Sequence, residues 1–230
     1  MRIATWNMGR AEGAWDYLLD IIKPDFALLQ ETFNPEGRPG HVKWDAIGDG
    51  SLKYGPKANY RWGSAVWSRQ HELNEVPVGV PGGWVKAARP VRGESLTLIS
   101  VHVEVDREKR SIPILHKILS DLTPTLLQTR LKVILGGDLN ADVWFDDQYG
   151  VRRHAIAFER IEDFGLWHCN RMIAPGKRQT YRKQAPVMDD HLFVRRSMSN
   201  RVVSCEVLAD DACPSDHFPV VLELTRPRES

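Results

Sequence analysis

LKVILGGDLNAD, residues 131–142, decides how this chain is read. Leu131, Val133, Ile134 and Leu135 form an apolar run of strand length. Two glycines follow, and then an aspartate and an asparagine arrive two residues apart, at Asp138 and Asn140. A short apolar run bounded by glycine reads as a buried strand. Polar groups at the end of such a strand are costly unless they meet a metal, a phosphate or each other. The stretch therefore points to a layered sheet with a polar site at one end.

Other strand-like segments end in the same way. RIATW runs into Asn7, FALLQ into Glu31 and LISV into His102. MDD (188–190) precedes the strand-like HLFV, and SDH (215–217) precedes FPVVLEL. Between these segments lie helical patterns. AWDYLLDII (14–22) places Trp15, Leu18, Leu19 and Ile22 at helical spacing, and Lys23-Pro24 ends it. IPILHKILSDLTPTLLQ (112–128) reads as a helix with a break or kink near Pro124. Residues 154–164 read as a helix capped by Gly165. SAVWS (64–68) and VVSCEVL (202–208) read as further strands, 34–61 as mostly loop, and VPVGVPGG (76–83) as a turn-rich connection. Strands outnumber helices and interleave with them, which predicts a layered α/β or α+β architecture in one domain over residues 1–230.

The 230 residues are 42% hydrophobic and 27% charged, with a formal net charge of +1. These are ordinary values for a globular chain with a core, and they leave any polyanion-binding surface to local patches. Residues 152–201 carry eleven Lys/Arg against five Asp/Glu, either a solvated face or a phosphate-facing one. The three cysteines, Cys169, Cys205 and Cys213, have no metal-ligand spacing and read as reduced thiols. Neither a leader nor an apolar run of membrane-spanning length is visible, so a cytoplasmic monomer with no membrane contact is the expectation.

Taken singly, each polar strand end has a structural reading: Asn7 as a turn cap beside Gly9, Glu31 as a surface charge, Asp138 and Asn140 as turn formers. Taken together, TWNMG (5–9), LLQE (28–31), GSAVWSR (63–69), LISVHV (98–103), GGDLNAD (136–142), TYR with MDDHLFV (180–182, 188–194) and SDHFPVV (215–221) resemble, in order, the endonuclease/exonuclease/phosphatase family, in its deoxyribonuclease-like branch. That resemblance implies a four-layer sandwich of two packed mixed β-sheets flanked by helices, and hydrolysis of phosphoric esters with Mg²⁺ or Mn²⁺. The visible ligand chemistry agrees, being hard oxygens without a Cys/His cluster.

It also implies roles. Glu31 is the main metal carboxylate, with Asn7 and Asp216 beside it. Asp138 orients or deprotonates the attacking water. Asn140 binds phosphate and adjoins a second metal, so Asp138 and Asn140 join the metal set. His217 contacts the scissile phosphate, Asp190 holds its ring oriented and charged, and His102 contacts phosphate and protonates the leaving group. On a strand, Asp189 and His191 face away from Asp190, so both are expected to be non-catalytic.

The same comparison disfavours phosphoinositides. Gly136 stands where those members carry Trp, and Ala185-Pro186-Val187-Met188-Asp189-Asp190 replaces their Pro-Ala-Trp-Cys-Asp-Arg. His102-Val103-Glu104 replaces the Tyr-x-Pro-Asn of abasic-site enzymes. The leading expectation is a nuclease acting on DNA or RNA. A phosphatase or phosphodiesterase for a small phosphorylated metabolite is the alternative, and a catalytically silent binding module a third. Arg61, Arg152 and Arg182 are candidate phosphate contacts, with Arg89, Arg153, Lys177 and Arg178 behind them. Of the eight tryptophans, Trp6 and Trp67 read as core, and Trp62 and Trp84 as neighbours of the substrate groove.

Overall fold

The structure is a computed structural model that describes residues 1–47, 62–80, 83–105, 111–128, 130–184 and 186–225. Arg61 lies outside the described residues. In chain order the elements are β1 (Arg2–Asn7), α1 (Ala14–Tyr17), β2 (Phe26–Phe33), β3 (His41–Ala46), β4 (Trp62–Ser68), β5 (Leu73–Glu75), β6 (Val85–Pro90) and β7 (Leu96–His102). They continue with α2 (Ile112–Leu126), β8 (Lys132–Asp138), α3 (Val143–Tyr149), α4 (Arg153–Asp163), β9 (Leu166–His168), β10 (Asp190–Arg195), β11 (Val202–Val207) and β12 (Val220–Leu224).

The strands form two six-stranded mixed sheets, ordered β11-β12-β1-β2-β4-β3 and β5-β6-β7-β8-β10-β9. Each has a parallel pair at its centre, β1–β2 and β7–β8, and antiparallel neighbours outside it. A parallel pair needs a crossover. The segment containing α1 supplies the first and α2 the second.

Apolar residues sort by strand alternation. Ile3, Leu28, Val66, Leu98, Ile134 and Leu192 meet between the sheets. Ala4, Trp6, Leu29 and Trp67 face outward with Leu18 and Ile22. Val133, Leu135 and Phe193 face the other way, against Leu115, Leu119, Leu122, Phe158 and Ile161 of α2 and α4. The result is four layers, helix–sheet–sheet–helix. β8 is apolar from Val133 to Leu135 because both of its faces are covered there.

Gly136 and Gly137 answer to the same crowding. A Cβ on Gly136 would lie 2.6 Å from Leu192 Cδ2, and one on Gly137 only 1.7 Å from the Val101 carbonyl of β7.

The structure corrects three expectations. The loop-like 34–61 contains the edge strand β3, whose strict alternation from His41 to Ala46 is outweighed in the sequence by the Gly, Pro and Asn around it; 48–61 lie outside the described residues. The described part of the turn-rich 76–83 does connect two strands, β5 and β6. Helix α2 runs unbroken through Pro124, because the proline sits exposed in the last turn and Leu127 N still donates to Thr123 O at 2.9 Å. The first helical segment winds as α only to Tyr17 and closes as a π-turn over Leu18–Ile22. Cys169, Cys205 and Cys213 are free and buried. Among the described residues no helix is long and apolar enough to cross a membrane.

Gly137→Ala forces β7 and β8 apart where they carry His102 and Asp138, and is expected to cost about 3 kcal/mol in urea unfolding. Gly176→Ala has nothing within 4 Å of the added Cβ and should leave the midpoint unchanged.

Candidate active site

The parallel strands β1, β2, β7 and β8 all end on the same edge of the sandwich. Open sheets place ligands at the carboxyl ends of such strands. Register carries the polar ends into a row: His102 lies across from Asp138, and Asp138 across from Asp190. In the other sheet Asn7 pairs with Gln30. A bulge follows in β2 between Leu29 and Thr32, and within it Glu31 adopts a left-handed φ of 47°.

Asp138 is 2% exposed. Its Oδ2 accepts from Asn7 Nδ2 at 2.8 Å, and its Oδ1 from the Asn140 amide at 3.0 Å. Asn7 Nδ2 also reaches Glu31 Oε1 at 3.3 Å, while Asn7 Oδ1 accepts from Gly9 N at 2.9 Å. Asn7 thus turns its nitrogen, not its oxygen, toward the carboxylates. Asn140, at φ 46°, anchors its side chain on Val103 O at 2.8 Å.

His217 Nδ1 bonds Asp190 Oδ2 at 2.8 Å, and both groups are buried. Its backbone is fixed on three sides. Its carbonyl accepts from Trp6 Nε1 at 2.8 Å, its N–H donates to Ser215 Oγ, and Ser215 in turn donates to Asn7 O at 2.7 Å. Thr180 Oγ1 accepts from the amides of Asp189 and Asp190, setting the start of β10. His191 points away from Asp190 as expected, toward Ala141 O at 2.7 Å and His168 Nε2 at 3.1 Å, whereas Asp189 precedes β10 and lies close enough to Asp138, Asp190 and His217 to act on their charges.

Proton affinities diverge across this small volume. Burial alone lowers that of His217, but the charge and hydrogen bond of Asp190, with Asp138 and Asp189, overcome it and raise the pKa to about 10. Burial also acts on His102 and wins, pushing it down to about 4 against the attraction of Glu31. Asp138 is raised by burial and by Asp190 to about 7, against the pull of His217, Asn7 and Asn140. Burial and the charges of Asp138 and Asp190 raise Asp189 as well. Burial would raise Asp216, yet the Lys183 hydrogen bond and the His217 charge hold it below the usual range. The shifts favour the charged form of His217 and the neutral form of His102 near neutral pH.

At this edge three buried atoms have no hydrogen-bond partner among the described residues: Glu31 Oε2, His102 Nδ1 and Asp190 Oδ1. Asp138, Asp190 and His217 offer atoms within 4.8 Å of one another. The Asp190–His217 bond occupies two of these. The carboxylates of Glu31, Asp138 and Asp216 are the further oxygens that could hold a cation, and hard oxygens suit an ion such as Mg²⁺ or Mn²⁺. A Cβ on Gly9 would lie 3.1 Å from Asp216 Oδ1, so the glycine, at φ 57°, leaves this carboxylate its space.

The structure thus brings Asn7, Glu31, His102, Asp138, Asn140, Asp190, Asp216 and His217 to one edge. Of the described candidates, Arg152 and Arg182 are engaged elsewhere. Arg152 pairs with Glu159 at 2.6 Å. Arg182 donates to the carbonyls of Cys213 and Ser215 and stacks on Phe218, bracing the loop that presents Asp216. Two cations that sequence reasoning passed over do touch the site. Arg10 Nε lies 2.8 Å from Glu31 Oε2, and Lys183 Nζ bonds Asp216 Oδ2. Their only sequence signal is adjacency to TWNMG and TYR. Trp62 and Trp84, half-buried and perpendicular at 6.2 Å, flank His102 at 5.8 and 5.2 Å.

Among curated proteins none matches this sequence. Solved structures match the fold over nearly the whole chain. A 3′ phosphatase from Neisseria, bound to a product DNA hairpin, has 22% identity and a TM-score of 0.73, covering 98% of this chain and 99% of its own. An AP endonuclease from Archaeoglobus fulgidus has 21% identity and a TM-score of 0.70, with 97% and 99% covered. A mannosyl-6-phosphatase from Bacteroides thetaiotaomicron has 18% identity and a TM-score of 0.65, with 98% and 99% covered. The sequence itself matches the family description over residues 4–217. With its two mixed sheets and its polar strand ends on one edge, the chain belongs to the Endonuclease/Exonuclease/phosphatase family, hydrolases of phosphoester bonds.

Proposed function

We propose that the protein is a divalent-metal-dependent phosphodiesterase that cleaves nucleic-acid strands. The observation that carries this reading is the pairing of a charged His217 with a desolvated Asp138, their Nε2 and Oδ2 atoms 3.9 Å apart. A phosphodiester is anionic and repels a nucleophile, so the site must neutralise charge while it activates water.

Glu31, Asp138 and Asp216 would hold the ion. When bound it supplies charge neutralisation at the phosphate and at the leaving oxygen. Asp138, oriented by Asn7 and Asn140, takes the proton of the attacking water. His217 donates its Nε2–H to a phosphate oxygen and keeps its charge throughout, because Asp190 holds Nδ1–H. Asn140 has a second amide hydrogen for another phosphate oxygen. His102, whose burial favours the neutral ring, contributes an N–H as a hydrogen-bond donor, and the leaving oxygen takes its proton from solvent water.

Support for a polynucleotide over a small ester comes from the rim. Arg10 and Lys183 stand on it, with the indoles of Trp62 and Trp84 beside His102, and the Neisseria relative holds DNA. The Bacteroides mannosyl-6-phosphatase, of matching length, supports the second reading, a phosphatase of a small phosphorylated metabolite.

Purified protein assayed on plasmid, single-stranded DNA, RNA and a panel of phosphomonoesters separates the two. Metal-dependent strand cleavage is expected, abolished by EDTA and reduced about 10²–10⁴-fold by Asp138→Asn or His217→Ala. Phosphate release from a small ester with every polynucleotide intact would replace the first reading by the second.

The fixed charge on His217 has its own readout in metal-free protein. Its pKa is raised on folding, so its stabilisation is complete below about 6.5 and is lost as pH rises through about 10. In EDTA the unfolding free energy should fall between pH 7 and 10, at up to about 1.4 kcal/mol per pH unit. His217→Gln should flatten that slope. A slope unchanged by the substitution would mean that the ring is neutral.

A further inference from the structure

Five carboxylates gather at the site, Glu31, Asp138, Asp189, Asp190 and Asp216, with His217 bonded to one of them, Asp190. An anionic chain approaching them is repelled unless more positive charge is at hand. Two cations stand at the rim, each on a carboxylate that the proposed ion would use. Arg10, from the turn after β1, leans on Glu31. Lys183, from the turn before β10, bonds Asp216.

Both cations are close to their partners and open to solvent. Arg10 Nε lies 2.8 Å from Glu31 Oε2, and Lys183 Nζ donates to Asp216 Oδ2 at 2.5 Å. The Arg10 side chain is 42% exposed and that of Lys183 66% exposed, against 17% for Glu31 and 33% for Asp216. The guanidinium also lies over the Trp62 ring, 5.1 Å from its centroid, which keeps it beside the site. A cation on an exposed stem can exchange its carboxylate for a phosphate when another cation takes that carboxylate.

Resting on the nucleic-acid reading above, we infer that Arg10 and Lys183 are substrate-binding cations that a divalent ion releases. Glu31 and Asp216 would hold the ion, and Arg10 and Lys183, relieved of their carboxylates, would be free to contact the phosphates flanking the scissile one. Substrate is thereby a chain with several phosphates, and ion and chain bind cooperatively, since each removes what hinders the other.

Counterion release tests this. A fluorescein-labelled decathymidylate is titrated by anisotropy over a range of NaCl concentrations, in Mg²⁺ and in EDTA, with His217→Gln as the common background to block turnover. Arg10→Gln and Lys183→Gln are each expected to reduce the slope of log K against log [NaCl] by about 0.7 in Mg²⁺, one phosphate contact on a single strand. In EDTA each should reduce it by less than half as much, because the cation is then held by its carboxylate. Arg10→Lys should retain the slope. Slopes unchanged in Mg²⁺ would overturn the assignment of both residues, and equal losses with and without Mg²⁺ would overturn release by the ion. If the parent protein shows no salt-dependent binding at all, the nucleic-acid reading fails instead, and phosphomonoester turnover reports it separately.

Discussion

One amide joins the two sheets at the place where chemistry is possible. Asn7 ends β1 in one sheet, and Asp138 ends β8 in the other. The 2.8 Å bond between them, extended to Glu31 at 3.3 Å, ties three polar groups from both sheets into one cluster. A buried carboxylate without such donors would be too costly to keep in charged form. The remaining contacts build outward from this one. Ser215 bonds the Asn7 carbonyl and receives the His217 amide, so the histidine is set relative to the same strand end as the aspartate. Displacing β1 by a fraction of an ångström would disturb both.

The backbone bears strain at the same points. Glu31 and Asn140 hold left-handed φ values of 47° and 46°, and Arg10 holds 58°. A side chain in that region costs roughly 1–2 kcal/mol. In each case the conformation turns a residue out of the direction its strand would impose. The bulge in β2 aims Glu31 back toward Asn7, and Asn140 bends so that its own N–H returns to Asp138. Compensation comes from the layers beneath, where Leu139 is fully buried and its N–H bonds Asp189 O.

How much of this was legible in the sequence follows from how each element is covered. β1, β2, β7 and β8 are buried on both faces, so they read as apolar runs, and the polar residues that interrupt them stand out. The row of polar ends was therefore visible, while the choice among them and their roles came from the resemblance to the family. β3 alternates polar and apolar residues from His41 to Ala46, a signal outweighed by the Gly, Pro and Asn around it; β5 has only three residues, and β6 follows a turn-rich stretch. Arg10 and Lys183 were invisible for a different reason: a surface cation declares nothing until its carboxylate is seen. Arg182 carries the converse lesson. Its place in TYR suggested phosphate, while its guanidinium is engaged with two carbonyls and the Phe218 ring.

The two histidines of the site differ because of what lies behind them. Behind His217 is Asp190, which is fully buried and bonded to Nδ1, so protonation stabilises the pair. Behind His102 are two indoles and an unpartnered Nδ1, so desolvation removes the proton and nothing restores it. In the metal-free site burial favours the neutral form of His102, while Asp190 favours the charged form of His217. The proton taken from water must then go to the one group poised to accept it, the carboxylate of Asp138. Any further neutralisation has to come from outside the folded core, from an ion held by Glu31 and Asp216 or from side chains at the rim.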